Sequence, residues 1–184
     1  MIVMKFGGSS VADAGKLRQV AALVAGSREQ RPLVVLSAMG KTTDALFAAA
    51  RAAQGGAIDE ALATAATTFA RAETAIRELF GSAASPPAAG CLAALGTMRD
   101  ELGVLLRGVA LLRELTPRTG DAIVAHGERI ATTLFTALLA AQGIDVVHQD
   151  ARTVVRTDDR FGAATPQRGE ILSLAAQHMA PHLA

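Results

Sequence analysis

The chain has 184 residues, of which 51% are hydrophobic and 19% charged, and its formal net charge at pH 7 is +1. This composition is that of a packed domain of ordinary size and excludes a largely disordered chain. The balanced charge gives no electrostatic basis for binding nucleic acid or a membrane, and only 3% of the residues are aromatic. We therefore expect ligands to be recognised at a localised site.

Cysteine use and hydropathy predict a soluble, cytoplasmic protein. The sequence has no run of roughly 20 apolar residues that would span a membrane, and Lys5 interrupts the apolar start too early for a secretory signal. The single Cys91 cannot form an internal disulfide, and we expect it to be a small buried hydrophobic side chain rather than a reactive thiol.

The first ten residues combine an apolar strand, from Ile2 to Phe6, with a loop that contains Gly7, Gly8, Ser9 and Ser10. A helical pattern follows from Val11 to about Ser27. Unpaired N–H groups at a helix start attract anions, and glycines let a phosphate approach the backbone closely. Since Lys5 adds a positive charge, these residues favour a phosphate site over a purely structural turn.

A second strand is predicted at Leu33 to Leu36, which is continuous, apolar and β-branched, as in a central strand covered on both faces. Together with the first strand and helix it forms a βαβ unit and implies a parallel sheet. The loop from Ser37 to Asp44 should then emerge at the same edge of the sheet as the first loop, where ligands bind in such folds. By itself, Thr43-Asp44 is more typical of an ordinary helix cap.

The middle of the chain is predicted to be helical, with its charged residues on a solvated face and without a catalytic cluster. Helices are expected over 45–53, 58–79 and 90–115, and we interpret residues from about 57 to 115 as a helical insertion. A further helix, capped by Thr119 or Asp121, should follow Thr116-Pro117 and continue through His126-Gly127-Glu128 to about Ala141. Pairing of Glu128 with Arg129 or solvent is the simpler interpretation of that triplet alone.

The last third should contain a short strand at Ile144 to Val147, an extended piece at Val154-Val155 and a helix from Pro166 to about His182. Between them lies the polar turn 156–162. We assign its adjacent aspartates, Asp158 and Asp159, a structural role rather than a metal site. His178 and His182 have a spacing that suits metal ligands, but without a third ligand we interpret them as a surface pair.

Four segments resemble the aspartokinases of the amino-acid kinase family, and in particular their lysine-sensitive type. Lys5 to Ala12 matches Lys-Phe-Gly-Gly-(Ser/Thr)-Ser-Val-Ala at every position, and residues 37–46 match Ser-Ala-x-x-x-x-Thr-(Asp/Asn)-x-Leu. Residues 125–128 match Ser-His-Gly-Glu except that Ala125 replaces the serine. Residues 156–162 match Arg-Thr-(Asp/Asn)-Asp-Arg-Phe-Gly.

The resemblance implies a three-layer α/β/α fold with a mainly parallel sheet, here incomplete, and ATP-dependent phosphorylation of the L-aspartate side chain. It implies that Lys5 is catalytic and that ATP, with Mg²⁺, is bound through Lys5, Gly7, Gly8, Ser9 and Ser10. It also implies that Ser37, Thr43 and Glu128 bind aspartate. No metal ligand is predicted within the chain, and self-association is expected.

The family's Gly-Arg-Gly-Gly-Ser-Asp stretch, its nucleotide-binding half and its regulatory domains have no counterpart in this sequence. We therefore expect negligible kinase activity from the chain alone. The alternative hypothesis is a non-catalytic binding or dimerisation module derived from such an enzyme.

Overall fold

The computed structural model describes residues 1–183, which fold into two strands and a larger number of helices. The strands are β1 (Ile2–Phe6) and β2 (Pro32–Leu36). The α-helices are, in chain order, α1 (Ala14–Gly26), α2 (Thr42–Gln54), α3 (Ile58–Phe80), α4 (Pro86–Leu112), α5 (Pro117–Val124), α6 (His126–Ala141), α7 (Arg168–His178) and α8 (Ala180–Leu183). None of these described helices combines the length and apolar character needed to cross a bilayer.

The two strands pair in parallel, with Ile2 opposite Pro32 and Phe6 opposite Leu36. The Ser37 N–H donates to the carbonyl of Phe6 at 3.1 Å and extends the ladder by one step. With α1 as the crossover, this arrangement confirms the predicted βαβ unit. Both loops that follow the strands therefore emerge at one edge of the sheet.

One face of this sheet is packed against the hydrophobic core, and the other is exposed to solvent. Met4, Phe6 and Val34 pack against the hydrophobic core, because alternate residues of a strand point to opposite faces. On the other face, Val3 is 59% exposed and Val35 is 44% exposed. Residues 1–183 thus cover the sheet with helices on one face only, so the expectation of a second strand covered on both faces is wrong for this part of the fold.

The predicted third strand is also wrong. Residues 144–150 adopt no regular secondary structure, and Val154 follows a 3₁₀ turn, Ala151–Thr153, instead of joining a strand. Ile144 and Val146 nevertheless pack against the core. Apolar side chains can be buried without forming a strand, because a strand also needs a partner for its backbone hydrogen bonds.

Local capping explains where the observed helices differ from the predicted ones. Helix α4 begins at Pro86 because proline suits the first turn of a helix. Thr116, rather than Thr119 or Asp121, caps α5 by accepting from the Thr119 N–H at 3.1 Å, and Ala125 separates α5 from α6. The last long helix begins at Arg168, since Pro166 pairs with Thr157 in an isolated antiparallel bridge.

Two structural roles proposed from the sequence are confirmed. Cys91 is buried in the core, and burial raises the pKa of its thiol to about 11, so the thiol is inert at neutral pH. Asp158 organises the polar turn by accepting from the Thr165 N–H at 3.0 Å and from the Arg160 side chain at 2.9 Å.

The start of α1 lies three residues later than predicted, because Asp13 provides its N-cap. The Asp13 carboxylate accepts from the Lys16 N–H at 2.8 Å. The segment directly after the glycines is instead a short 3₁₀ turn, Gly8–Val11. The first loop is therefore separated from the start of the long helix.

We expect Asp13→Ala to lower the free energy of unfolding by about 1 kcal/mol, because it leaves a backbone N–H of α1 without its acceptor. Asn caps helices about as well as Asp, so Asp13→Asn should be nearly neutral and serves as the control. Chemical denaturation measures both variants. Equal destabilisation by Ala and Asn would contradict the assigned cap.

Candidate active site

Three segments meet at the carboxyl edge of the sheet. Loop A (residues 7–10) follows β1, loop B (residues 37–41) follows β2, and the first turn of α6 contributes Gly127 and Glu128. Loop B lies between the other two. The candidate site is the surface that these three segments form together.

Ala38 of loop B occupies the centre of this arrangement and is only 2% exposed. A Cβ atom on Gly8 would lie 2.8 Å from the Ala38 carbonyl oxygen, and a Cβ atom on Gly127 would lie 2.7 Å from the Ala38 Cβ. Both distances are shorter than real contacts allow. Glycine at these two positions is therefore required for packing against loop B.

Two hydrogen bonds hold the segments together. The Gly40 N–H donates to the Gly8 carbonyl at 3.0 Å and joins loops A and B. The Ala38 N–H donates to Oε1 of Glu128 at 3.2 Å and joins loop B to α6. The Glu128 side chain is half-buried, and its Oε2 accepts no hydrogen bond from residues 1–183. One carboxylate oxygen thus anchors the loop while the other remains available to a ligand.

Lys5 stands at the end of β1 and is exposed. Its Nζ lies 3.9 Å from the position that a Cβ on Gly7 would occupy, so the ammonium group lies next to the first glycine of loop A. No ion pair joins Lys5 to a carboxylate among the described residues. Leaving aside the two chain neighbours of Gly7, no atom of residues 1–183 other than Lys5 Nζ lies within 4 Å of that Cβ position.

The long helix begins farther from loop A than the sequence predicted, which weakens the helix-dipole argument for a phosphate site there. The 3₁₀ turn that follows the glycines has only four residues, and the start of α1 is already capped by Asp13. The macrodipole of a helix acts mainly within its first turn. Lys5 and the open backbone around Gly7 are therefore the features of loop A itself that favour an anion.

The structure places the predicted hydroxyl groups along the two loops and the start of α2. Ser9 is exposed, whereas Ser10, Ser37 and Thr43 are half-buried. Within the described part of the chain, none of these four hydroxyl groups takes part in a hydrogen bond. They are free to bind a ligand. Thr42, which the sequence alone did not single out, is buried and donates to the Met39 carbonyl at 2.6 Å.

His126 is a buried structural residue beside this site. Its Nδ1 lies 3.0 Å from the Ala122 carbonyl and 3.1 Å from the Ile123 carbonyl, so the proton is on Nδ1. Nε2 faces Arg129, which pairs with Glu101 of α4 at 2.6 Å. Burial, reinforced by the charge of Arg129, lowers the pKa of His126. Arg129 thus pairs with Glu101 and not with Glu128, whose carboxylate binds the Ala38 N–H of loop B.

Sequence comparison assigns this chain to a known family. The amino acid kinase family matches residues 1–184, and the chain therefore belongs to that family. Within it, the chain is similar to aspartokinases. It is 37% identical to aspartokinase 1, chloroplastic, of Arabidopsis thaliana over 159 residues, which are 85% of this chain and 27% of that protein. It is also 32% identical to lysine-sensitive aspartokinase 3 of Escherichia coli. That match covers the full length of this chain but only 38% of the relative.

Solved structures agree with this assignment. Aspartokinase III of E. coli in complex with lysine and aspartate matches with a TM-score of 0.85 at 31% identity, and the complex with aspartate and ADP matches with a TM-score of 0.84 at 30% identity. Each match covers 100% of this chain and 38% of the E. coli chain. The fold is thus that of an amino acid kinase, and the chain spans little more than a third of the length of these relatives.

We expect Gly127→Ala to destabilise the fold by about 1–3 kcal/mol, because the added methyl group would overlap Ala38 and press on Thr42. Gly108→Ala is the matched control, since Gly108 lies in α4 and, outside its own helix backbone, no atom of the described residues lies within 4 Å of the added Cβ. There alanine should stabilise by up to about 1 kcal/mol. Chemical denaturation of both variants measures the difference, and effects of the same sign would contradict the packing of α6 on loop B.

The buried His126 predicts a loss of stability on mild acidification. Its pKa is lower in the folded than in the unfolded state, so the unfolded chain binds more protons as the pH falls below the ordinary value of 6.5. The free energy of unfolding should therefore decrease between about pH 7.5 and pH 5.5. His126→Asn should show a smaller decrease over this range, measured by urea denaturation. An equally steep dependence in the variant would exclude His126 as the cause.

Proposed function

We propose that this chain is the aspartate-side part of an ATP-dependent aspartate kinase, a phosphotransferase that converts L-aspartate to 4-phospho-L-aspartate. The observation that carries the proposal is the contact chain from loop A through Ala38 to Glu128, which brings a free ammonium group and a half-buried carboxylate to one sheet edge. Similarity to aspartokinases supports it, as do the aspartate and ADP in the E. coli complexes.

Glu128 is proposed to bind the substrate ammonium group. Its Oε1 is held by the Ala38 N–H, which fixes the direction of the free Oε2. A carboxylate that is already oriented loses little entropy when it pairs with a cation. Ser37 and Thr43, whose hydroxyl groups have no partner in residues 1–183, are proposed to hold the same substrate.

Lys5 is proposed to be the catalytic cation that neutralises charge on the transferred phosphoryl group. Phosphoryl transfer depends mainly on positioning and charge stabilisation, which an exposed ammonium group beside Gly7 can provide. Backbone and hydroxyl groups of Gly7, Gly8, Ser9 and Ser10 would complete the phosphate contacts of ATP. Residues 1–183 bring no three acidic, histidine or cysteine side chains together for a metal, so we assign no residue here to Mg²⁺.

A second candidate function is a non-catalytic module that self-associates. The exposure of Val3 and Val35 on one face of the sheet favours it, because parallel sheets are usually covered on both faces. It is compatible with the first proposal, since the chain covers 27–38% of the two aspartokinases compared with it.

Aspartate binding tests the first proposal. In titrations of the chain with L-aspartate followed by NMR, Glu128→Gln should weaken binding by about tenfold or more, because it removes the charge that pairs with the ammonium group. Gln retains an oxygen for the Ala38 N–H, so the fold should be unaffected. Asp44→Asn removes an exposed carboxylate of α2 and should leave binding unchanged.

Lys5→Ala should also leave aspartate binding within a few-fold of the parent, because its proposed partner is the phosphate. ADP release by the chain should not exceed background when aspartate is added. Unchanged aspartate affinity in Glu128→Gln would refute the substrate assignment. Aspartate-dependent ADP release would refute the expectation that the chain alone is inactive.

The second candidate predicts association that depends on concentration. Val3→Thr together with Val35→Thr keeps β-branched residues in the strands but makes the face polar, and should shift the chain toward monomer in sedimentation experiments. Val104→Thr is the control, because Val104 is an exposed valine of helix α4 and does not belong to the sheet. A parent chain that stays monomeric at high concentration would remove the basis for this module.

A further inference from the structure

We propose that Arg71, in α3, is a specificity-determining residue that contacts a phosphate oxygen of the ligand held at loops A and B. The inference rests on the proposed function. It assigns a ligand contact to Arg71, although the sequence predicted only a solvent-facing position for the charged residues of this helix. It is carried by the position of the guanidinium group and by its lack of a charge partner among residues 1–183.

Arg71 reaches the junction of the two loops from the helical middle of the chain. If Gly40 carried a Cβ atom, that atom would lie 4.0 Å from Nη1 of Arg71. The Cβ of Ala12 lies 3.6 Å from the same position. Gly40 has a positive φ of 54° and donates its N–H to the Gly8 carbonyl. The guanidinium therefore lies beside the residue that joins loop B to loop A.

No carboxylate neutralises this guanidinium within the described residues. The positions three and four residues away on α3 are uncharged, namely Thr67, Thr68, Thr74 and Ala75. Two other arginines, Arg99 and Arg129, do pair with carboxylates, Glu73 and Glu101. Asp13, the carboxylate after Ala12, accepts from the Lys16 N–H instead.

The cations around the loops favour a polyphosphate over a single carboxylate. Lys5 lies next to Gly7, Arg71 lies next to Gly40, and Lys41 follows Gly40 in sequence. Several positive groups without acidic partners in the described chain suit a ligand that carries several negative charges. A guanidinium also offers two parallel N–H donors to phosphate oxygens, which an ammonium group cannot match.

Titration of the chain with tripolyphosphate in the absence of metal tests the proposal by calorimetry or NMR. Arg71→Ala should weaken binding about tenfold, and Arg71→Lys should recover only part of the loss because the forked geometry is missing. Arg51→Ala is the control, since it removes one exposed positive charge from α2 and should change affinity by less than about twofold. Thermal unfolding should be unchanged in all three variants.

Three outcomes would overturn the proposal. These are no binding of tripolyphosphate by the parent chain, equal losses in Arg71→Ala and Arg51→Ala, or a loss of L-aspartate affinity in Arg71→Ala with tripolyphosphate affinity retained. The titration of Glu128→Gln with L-aspartate is independent of these measurements. Failure of the aspartate assignment is thus distinguishable from failure of the role of Arg71.

Discussion

The hydrogen bond from the Ala38 N–H to Glu128, at 3.2 Å, is the contact on which the candidate site depends. It joins a loop of the βαβ unit to a helix that begins almost ninety residues later in the chain. Ala38 can approach α6 so closely only because Gly127 has no side chain, and loop A fits against Ala38 only because Gly8 has none. Two glycines and one small residue therefore set the spacing of three segments.

The charges around this contact are separated, with a carboxylate on one side of loop B and cations on the other. Glu128 lies on the α6 side of loop B, whereas Lys5 and Arg71 lie near Gly7 and Gly40. None of these three groups forms an ion pair within residues 1–183. Arg129 is instead directed to Glu101 of α4, beside a neutral His126. The carboxylate of Glu128 thus keeps an oxygen for a ligand.

Local patterns in the sequence predicted the strands, the parallel crossover and the two loops at one edge, because these features depend on residues close together in the chain. The segment at Ile144 was mistaken for a strand, since hydrophobicity reveals burial but not a backbone partner. The need for glycine at position 127 follows from the contact with Ala38, which is distant in sequence. Arg71 could not be found from the sequence, because its position near Gly40 arises from the packing of α3 and not from any motif.

Amide hydrogen exchange at Ala38 tests the central contact most directly. If Glu128 anchors loop B, the Ala38 amide should exchange slowly in the parent chain and in Glu128→Gln, which retains an acceptor. Exchange should become at least about tenfold faster in Glu128→Ala, because local opening no longer breaks a hydrogen bond. Equal exchange rates at Ala38 in the parent and in Glu128→Ala would contradict the account.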